Sequence, residues 1–414
     1  MDGNQIDCGI GLSKVNSNPK KETTQKILKR VLLWVLIVSA AVLVFIFLKK
    51  TTKHYFSTLP VEVVKKPDVF PVRGLHVTSW MASSSSLLNP LIALVNKTEL
   101  NALVIDLKEA DGIVAYDSNL KIVNDLGTRE KRIQNLDKVV AELKKNNIYA
   151  IARICVFKDP LLANKMPHIA VKDKVTGKVW RDSKGMSWVD PFCKQAWEYN
   201  VLLAEEAAQR GFDEIQFDYI RFPSDGKISN CVYSSDSRSD TAQIMAIKNF
   251  LSFAHERLKQ YNVALSVDVF GLVCSMGKEL GVGQVIEEIA PEVDFLCPMV
   301  YPSHYYKGMY GLTDPEAQPY KTVYKSINDA CKRINDPKKL RPWLQDFSLR
   351  VKYSANDVRE QMRACYENGV YEWILWNPGC KYTVAALKSK EERKNIIEKK
   401  TIVDTETIGD TVTK

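Results

Sequence analysis

Short apolar runs alternate with longer amphipathic segments over most of this chain. Eight of the runs are rich in branched and aromatic residues and have the length of buried strands, and most are followed by a segment with helical spacing. The predicted strands span residues 75–80, 102–107, 149–157, 214–219, 264–270, 295–301, 341–347 and 372–377. Regular alternation of strands and helices predicts an α/β fold with a parallel sheet.

The predicted helices span residues 87–97, 133–146, 191–210, 241–260, 282–289, 319–334, 355–367 and 383–388. Asp190 and Pro191 predict the start of the third helix, with Asp190 as the N-cap and Pro191 at the first helical position. Eight strand-helix units in roughly 315 residues match a (β/α)8 barrel, the TIM barrel. A doubly wound open sheet is the alternative, but it usually carries a glycine-rich loop after its first strand, and residues 80–83 (WMAS) stand there instead.

A hydrophobic run of 18 residues, 31–48, precedes this region, with Lys29 and Arg30 before it and Lys49 and Lys50 after it. A run of this length can cross a bilayer. A cleaved signal peptide is the alternative, but the region ahead of the run is long and no small-residue cleavage site follows it. The run therefore predicts a single uncleaved transmembrane helix, with the lipid bilayer as its partner.

This anchor divides the chain into regions of different character. We expect a cytoplasmic tail (1–30), the membrane helix (31–48), a basic, proline-punctuated stalk (49–72), the (β/α)8 domain (73–388) and a charged disordered tail (389–414). Basic residues flank both ends of the membrane helix, but a short N-terminus inside the cell is the usual arrangement for such an anchor. The predicted localisation is the cell membrane, with the large C-terminal domain extracellular.

The formal net charge of +9 is a poor guide to partners. Residues 1–66 hold eleven Lys or Arg and four acidic residues, so that region carries +7 and the rest of the chain only +2. No nucleic-acid partner is expected, because the basic excess lies in the membrane flanks and the stalk. An exported domain permits disulfides, but Cys155 and Cys297 fall in predicted core strands, where a free cysteine acts as a small hydrophobe. With no CxxC spacing and five scattered histidines, we expect neither a metal nor another cofactor.

Polar residues recur where the predicted strands end, which is the catalytic face of a barrel. Side chains alternate along a strand, so Gln216 and Asp218 share one face, and Ser266 and Asp268 share the same face of the next barrel strand. We predict Asp218 and Asp268 as the catalytic carboxyls. The predicted substrate-binding residues are Trp80, Asp106, Lys108, Arg153, Trp188, Gln216, Arg221, Tyr301, Asp346 and Trp376.

Two carboxyls at the mouth of a barrel suit glycoside hydrolysis. One must protonate the leaving oxygen while the other attacks or activates water, and Trp or Tyr rings stack on the apolar face of a sugar. Asp268 has apolar neighbours in the chain, which should raise its pKa toward that of a general acid. We expect the positive charges of Arg153 and Lys108 to hold Asp106 and Asp218 ionised.

Each of these residues also has a plain structural interpretation. A tryptophan is more often a packing residue than a sugar platform, and a buried aspartate is often only hydrogen-bonded. Asp218 would then pair with Arg221 and Asp106 with Lys108, while Arg153 would brace the carboxylates from below. The combination of carboxyls, cations and aromatic rings favours the functional interpretation.

Seven stretches carry a resemblance to a known family, among them GLHVTSW (74–80), FDEIQFDYIRFP (212–223), VDFLCPMVYPSHY (293–305) and RPWLQDF (341–347). From about residue 74 to 378 the chain resembles the glycoside hydrolase domain family of bacterial envelope proteins, a (β/α)8 group related to alpha-amylase-like and alpha-galactosidase-like glycosidases. The resemblance implies the barrel fold and a nucleophile at the aspartate of the fourth barrel strand, which is Asp218. In amylase-like relatives a glutamate follows the fifth strand, whereas this chain has Asp268 there.

Two functions of different class fit these features. The first is a membrane-anchored glycoside hydrolase that acts on a cell-wall or extracellular polysaccharide through paired aspartates. The second is a non-catalytic glycan-binding envelope protein built on the same barrel. A polysaccharide deacetylase is disfavoured, because it needs a metal held by His and Asp side chains and the histidines are few and scattered. A polysaccharide or oligosaccharide is the expected substrate.

Overall fold

Eight parallel strands close into a barrel. The computed structural model describes residues 71–235, 239–277 and 280–392, together with Leu32, Trp34 and Ser39. The strands are β1 (Arg73–Val77), β2 (Ala102–Lys108), β3 (Tyr149–Cys155), β4 (Lys172–Asp173), β5 (Glu214–Asp218), β6 (Cys231–Val232), β7 (Ala264–Phe270), β8 (Phe295–Met299), β9 (Trp343–Gln345) and β10 (Trp373–Trp376). Hydrogen-bonded neighbours follow the order β1-β10-β9-β8-β7-β5-β3-β2, and the pairing of β1 with β10 closes the ring.

The predicted (β/α)8 fold class is confirmed by this barrel, and the doubly wound sheet is excluded. All eight predicted strands are present, with ends that differ by a few residues. Every residue of β2 and of β5 is buried, because helices cover the outside of a parallel barrel and side chains fill its inside. Cys155 in β3 and Cys297 in β8 are buried free thiols, as predicted.

Helices form most of the connections between barrel strands. Those among the described residues are α1 (Ser85–Lys97), α2 (Lys121–Leu126), α3 (Leu136–Lys145), α4 (Pro160–Lys165), α5 (Lys194–Gln209), α6 (Asp240–Leu258), α7 (Ile286–Ile289), α8 (Pro319–Ile334) and α9 (Ala355–Tyr366). Seven of the eight predicted helices are found, and α8 has the predicted bounds. The short helices α2 and α4 lie in connections that lack a clear helical period.

The helix predicted over residues 383–388 is wrong. Only one 3-10 turn, Val384–Ala386, forms there. Asp346 accepts hydrogen bonds from the backbone N–H of Thr383 (2.8 Å) and from its hydroxyl (2.6 Å). This contact fixes the start of the segment against the barrel and leaves too few residues for a longer helix.

The predicted start of helix α5 is also wrong, since the helix begins at Lys194 and not at Pro191. The carboxylate of Asp190 accepts hydrogen bonds from the backbone N–H of Phe192 (2.9 Å) and of Ser234 (2.5 Å). Asp190 therefore fixes a turn and ties it to a neighbouring connection, instead of capping the helix.

Two long connections, the ones that follow β3 and β5, are joined to each other. Strand β4 of the first pairs antiparallel with strand β6 of the second. Side chains extend the joint, because Trp180 Nε1 donates to the carbonyl oxygen of Lys227 (3.2 Å) and the Ser183 hydroxyl donates to Asp225 (2.9 Å). Both connections leave the carboxyl ends of barrel strands, which is the face where barrel enzymes carry their sites.

A buried ionic network occupies the opposite, N-terminal end of the barrel. Arg341 Nη1 lies 2.6 Å and 2.7 Å from the two carboxylate oxygens of Glu214, and Arg341 Nε lies 2.7 Å from Glu372. Tyr149 donates to Glu214 from the next layer of the barrel (3.2 Å). Arg341 is shared by both carboxylates, and this end lies away from the face where barrel enzymes carry their sites, so we assign it a structural role.

The predicted membrane helix, residues 31–48, lies outside the described residues except for Leu32, Trp34 and Ser39. The same holds for the tail 1–30, almost all of the stalk and most of the segment 389–414. Within the described part of the chain, no helix combines the length and the apolar character needed to cross a bilayer.

Candidate active site

A cavity of about 420 Å³ opens at the carboxyl ends of the barrel strands. Six of the residues predicted from sequence line it: Arg153, Asp218, Arg221, Asp268, Tyr301 and Trp376. The other lining residues are Tyr219, Phe270, Gly271, Leu272, Met299, His304, Tyr305 and Trp343. The two predicted catalytic aspartates therefore share one cavity at the end of the barrel where such sites are built.

Asp218 is the last residue of β5, and its backbone is fixed by the turn that follows. Its Oδ1 atom accepts a hydrogen bond from the N–H of Tyr219 (2.5 Å). Tyr219 adopts a φ of 52°, which is rare for a large side chain. The other carboxylate oxygen, Oδ2, accepts a hydrogen bond from Nη2 of Arg153. Both oxygens of Asp218 are thus oriented within the cavity wall.

Asp268 lies beside Asp218, on the neighbouring strand β7, one step beyond the paired residues Phe217 and Val267. Its Oδ1 atom accepts a hydrogen bond from Nε1 of Trp343 (2.6 Å). Its Oδ2 atom lies 3.5 Å from Arg153 Nε and accepts no hydrogen bond from the described residues. The side chain is 1% exposed. One of its oxygens is therefore buried at the cavity without a donor.

Burial raises the pKa of Asp268 well above its ordinary value, and the negative charge of Asp218 raises it further. Arg153 and the indole N–H of Trp343 oppose this shift without reversing it. The direction is the one predicted from the apolar neighbours of Asp268 in the sequence. A carboxyl with a raised pKa can donate a proton near neutral pH.

Arg153, on β3, bridges three carboxyls at once. Its Nη1 donates to Asp106 Oδ1 (2.6 Å), its Nη2 donates to Asp218, and its Nε faces Asp268. His76, on β1, lies on the far side of Asp106, with Nε2 2.8 Å from Oδ2. The predicted role of Arg153, a cation among inward-facing carboxylates, agrees with this geometry.

The charges of His76 and Asp106 stabilise each other. Burial would lower the pKa of His76, but the charge and hydrogen bond of Asp106 outweigh it and raise that pKa to about 9. Burial would raise the pKa of Asp106, but His76 and Arg153 lower it to about 2. Near neutral pH His76 is therefore mainly protonated and Asp106 ionised, so this pair carries no net charge.

Aromatic side chains form the opposite part of the wall. Trp376 lies 5.6 Å from Tyr301 and 5.1 Å from Phe347, measured between ring centroids. His76 lies 6.2 Å from Trp376 and so joins this group to the charged cluster. A ring surface next to a carboxyl pair suits a sugar, which has an apolar face and polar edges.

Lys108 is not part of the site, and the prediction that it holds Asp106 and Asp218 ionised is wrong. Its ammonium pairs with Asp159 (2.7 Å) and donates to the carbonyl oxygen of Cys155 (2.6 Å). The cause is an irregularity in β2: Asp106 pairs with Arg153, yet Lys108 pairs with the very next residue of β3. Such a bulge breaks the alternation on which the prediction rested.

The sequence-based pairing of Asp218 with Arg221 is also wrong. The cation that bonds to Asp218 is Arg153. Nη1 of Arg221 donates to the carbonyl oxygen of Phe222 (3.0 Å) and to the hydroxyl of Ser224 (3.2 Å). The turn at Tyr219 redirects the chain, so proximity in sequence does not bring these two charges together.

Five other predicted substrate-binding residues lie outside the cavity lining, among them Asp106, which is bonded to Arg153 and His76. Trp80 is 55% exposed, because β1 ends at Val77 and strand alternation no longer applies there. Gln216 is buried one layer deeper, where it donates to Cys297 Sγ (3.3 Å). Trp188 is buried behind the wall, and Asp346 binds Thr383.

Sequence reasoning missed Trp343, the donor to Asp268. The apolar and polar residues over 341–347 do not decide which face of that strand points inward, so only Asp346 was predicted there. Gly271 was missed as well, although a Cβ atom there would lie 2.4 Å from the carbonyl oxygen of Met299 and 2.6 Å from the hydroxyl of Tyr305. Only glycine permits this close approach at the cavity wall.

A family model described as “Putative glycosyl hydrolase domain” matches residues 74–382. The chain belongs to this family. The match covers the whole barrel, from β1 to the segment after β10, and confirms the family resemblance noted in the sequence. Membership assigns the domain to the glycoside hydrolase class of enzymes.

Solved structures are similar to this chain to different degrees, and the first of the following three shares its fold. The glycoside hydrolase domain of PgaB (BpsB) from Bordetella bronchiseptica is 14% identical and covers 77% of this chain and 99% of its own, with a TM-score of 0.57. A hypothetical protein from Ruminiclostridium thermocellum ATCC 27405 is 40% identical over 47% of this chain and 97% of its own, with a TM-score of 0.43. The alpha-galactosidase TtGalA from Thermus thermophilus is 13% identical and covers 82% of this chain and 62% of its own, with a TM-score of 0.49. No curated protein matches the chain.

Proposed function

We propose that this protein is a membrane-anchored glycoside hydrolase that acts on a cell-wall or extracellular polysaccharide, with Asp218 and Asp268 as its working carboxyls. The observation that supports this most is the asymmetry of the pair. Arg153 donates a hydrogen bond to Asp218 but lies 3.5 Å from Asp268, which keeps one buried oxygen that accepts no hydrogen bond from the described residues and has a raised pKa. Glycoside hydrolysis needs one carboxyl of each kind.

In this mechanism Asp268 donates its proton to the glycosidic oxygen as the bond from that oxygen to the anomeric carbon breaks. Asp218 attacks the anomeric carbon and forms a covalent glycosyl ester. Water then enters, gives its proton to Asp268 and releases the sugar from Asp218, so both residues return to their starting states. Arg153 keeps Asp218 oriented for attack throughout.

The spacing of the strands supports direct attack by Asp218. Neighbouring strands lie about 4.7–4.9 Å apart, and Asp218 and Asp268 occupy matching positions on β5 and β7. Retaining glycosidases place their carboxyls about 5–5.5 Å apart, whereas inverting ones leave about 6.5–9.5 Å for a water molecule. We therefore expect the product to keep the anomeric configuration of the substrate, which proton NMR of the first product detects.

The decisive experiment is a glycan-hydrolysis screen of the full-length chain in detergent, beside its Asp218→Asn variant. Release of reducing sugar by the wild type and loss of that release in the variant is the expected result. Binding of a glycan without turnover by the wild type would instead identify a non-catalytic glycan-binding barrel. Equal turnover by both proteins would remove Asp218 from the mechanism.

The membrane part of the proposal rests on the hydrophobic run 31–48 and its basic flanks. We expect the full-length chain to stay in the membrane fraction after washes with high salt and with carbonate. Removal of residues 1–66 should release a folded domain, because the barrel core is complete without them. Recovery of the chain as a soluble protein shortened at its N-terminus would support a cleaved signal peptide instead.

A further inference from the structure

Arg221 lines the cavity in a setting unlike that of any other group described so far. Its guanidinium carbon lies 4.4 Å from the ring centroid of Phe270, 4.8 Å from that of Trp188 and 5.2 Å from that of Tyr219. The bonds from Nη1 to Phe222 and Ser224 fix its orientation. The residue is 8% exposed, so the charge is held in place and almost fully removed from bulk water.

The remaining donors of this guanidinium are unused. Nε and Nη2 form no hydrogen bond with the described residues, and none of the described carboxylates lies within ion-pair distance of Arg221. Neither nitrogen is among the fully enclosed atoms that lack a partner, so both have access to the cavity. A buried cation without a counter-charge is costly, and burial lowers its pKa. Nε and Nη2 form the fork that binds a carboxylate through two parallel hydrogen bonds.

This free cation lies next to the catalytic pair. Arg221 follows Asp218 by three residues, and the ring of Phe270, on which the guanidinium stacks, follows Asp268 by two. Arg221 takes no part in the ion pairs of the cluster around Arg153, and the carboxylates of Asp218, Asp182 and Asp225 act on its charge only beyond ion-pair distance. An anion bound there would give this cation the direct partner that it lacks, and its sugar would occupy the cavity that Asp218 and Asp268 also line.

We propose that the substrate is an anionic glycan and that Arg221 binds the carboxylate of an acidic sugar through Nε and Nη2. This inference rests on the proposed glycosidase function, because it names the substrate class of the same site. The carboxylate belongs either to a hexuronic acid or to a lactyl ether on an amino sugar. Both present the same two oxygens to the fork.

The test measures binding, so it does not depend on turnover. Full-length Asp218→Asn protein in detergent is titrated calorimetrically with a uronic-acid oligosaccharide and with its carboxyl-reduced counterpart. A second arm uses an oligosaccharide with free lactyl carboxylates and its methyl ester. We expect at least one acid to bind ten to a hundred times more tightly than its neutral partner, which corresponds to about 1.4–2.8 kcal/mol.

Substitutions test whether Arg221 causes the tighter binding of the acid. Arg221→Gln, made in the same Asp218→Asn background, should bind the acid and its neutral partner equally. Arg221→Lys should keep part of the preference, because it keeps the charge without the fork. Arg363→Gln is the matched control, since Arg363 is half-exposed on helix α9 and pairs with Glu360 at the surface. It removes one positive charge from the protein and should leave the preference intact.

Different results would overturn the anion site at Arg221 and the proposed glycosidase function. If neither acid binds more tightly than its neutral partner, or if Arg221→Gln keeps the preference, the anion site is overturned, whether or not the wild type hydrolyses neutral glycans. If the acid is preferred in an Arg221-dependent way but the wild type cleaves no glycan, the anion site stands and the glycosidase function fails. Should Arg221→Gln not fold, Arg221→Lys in the Asp218→Asn background still decides, because an unchanged preference for the acid would overturn the fork and a reduced one would support it.

Discussion

The cavity contains two arginines in opposite electrostatic surroundings. Arg153 faces three carboxyls, two of them through direct hydrogen bonds. Arg221 faces three aromatic rings and keeps two nitrogens without an acceptor among the described residues. A buried cation that is saturated by its own chain holds catalytic groups in position. A buried cation that is not saturated is available to a ligand.

This contrast separates the cavity into two regions with separate tasks. The region around Arg153 orients Asp218, and Arg153 opposes the rise in the pKa of Asp268. The region around Arg221 is free of those duties and suits recognition. Substitutions on the first side should therefore change rates, pH profiles and stability, whereas substitutions on the second should mainly change which glycan is bound.

The largest effect is expected from the two aspartates. Asp218→Ala should abolish turnover of every substrate, because no group replaces the nucleophile. Asp268→Ala should keep measurable activity on aryl glycosides, because their leaving group needs no protonation. On a natural glycan the same variant should lose the contribution of general acid catalysis to the rate, about 10²- to 10⁴-fold. Rates of each variant on an activated aryl glycoside and on a natural glycan check this. Equal losses by both variants on both substrates would show that Asp268 is not the acid.

Next in size is the loss expected from Arg153→Met. Removal of one partner from a buried ion pair costs about 3–5 kcal/mol of the free energy of unfolding, and three carboxyls lose their cation here. Activity should fall, and its acid limb should move to higher pH, because carboxyls without a cationic neighbour protonate more easily. Chemical denaturation and a pH-rate profile measure both changes.

Arg221→Met is the matched control for stability in this experiment. It should lose less free energy of unfolding than Arg153→Met, because none of the described carboxylates loses an ion-pair partner and the aliphatic stem still packs on the rings. An equal loss of stability in the two variants would mean that the two arginines do not differ as described.

A smaller effect is expected from pH on stability through His76. Its pKa is raised from the ordinary 6.5 to about 9 in the folded protein. The stabilisation from its charged form is thus complete below pH 6.5 and is lost as pH rises through 9. The free energy of unfolding of the wild type should fall between these values by more than that of His76→Gln. Parallel pH dependences of the two proteins would contradict the His76–Asp106 pairing.

The smallest predicted change is a displaced pH limb in Trp343→Phe. The indole N–H donates to Asp268 and favours its ionised form. Without that donor the pKa of Asp268 should rise further, so the acid stays protonated to higher pH and the alkaline limb of activity moves upward. A shift of about one pH unit corresponds to a single hydrogen bond of about 1.4 kcal/mol. An alkaline limb that stays in place would mean that another group sets it.

The barrel could be predicted from sequence because its strands are continuous apolar runs that are buried on both faces. That signal is strong and tolerates errors of a few residues at each end. Asp218, Asp268 and Arg153 were predicted from a second signal, the regular alternation of side chains in β3, β5 and β7, which points them into the barrel. Where a strand is regular, the two-residue period is sufficient to predict which side chains point into the barrel.

The errors occur where local geometry breaks that period. The bulge in β2 turned Lys108 away from the site, and the early end of β1 left Trp80 at the surface. The left-handed turn at Tyr219 separated Arg221 from Asp218. None of these irregularities has a glycine or proline at the residue concerned, so the residue types there did not predict a break in the strand pattern. Trp343 lay beyond sequence reasoning for another reason, because the target of an indole N–H depends on the whole barrel.

The small sheet of β4 and β6 has a consequence for how this barrel can be altered. Each strand hides the other's backbone donors and acceptors, so a connection transplanted alone into a related barrel would present an open edge to other chains. A connection transplanted alone would also lose the hydrogen bonds from Trp180 to Lys227 and from Ser183 to Asp225. The connections after β3 and β5 therefore form one exchangeable module, and an insertion in either should be tolerated only with a compensating change in the other.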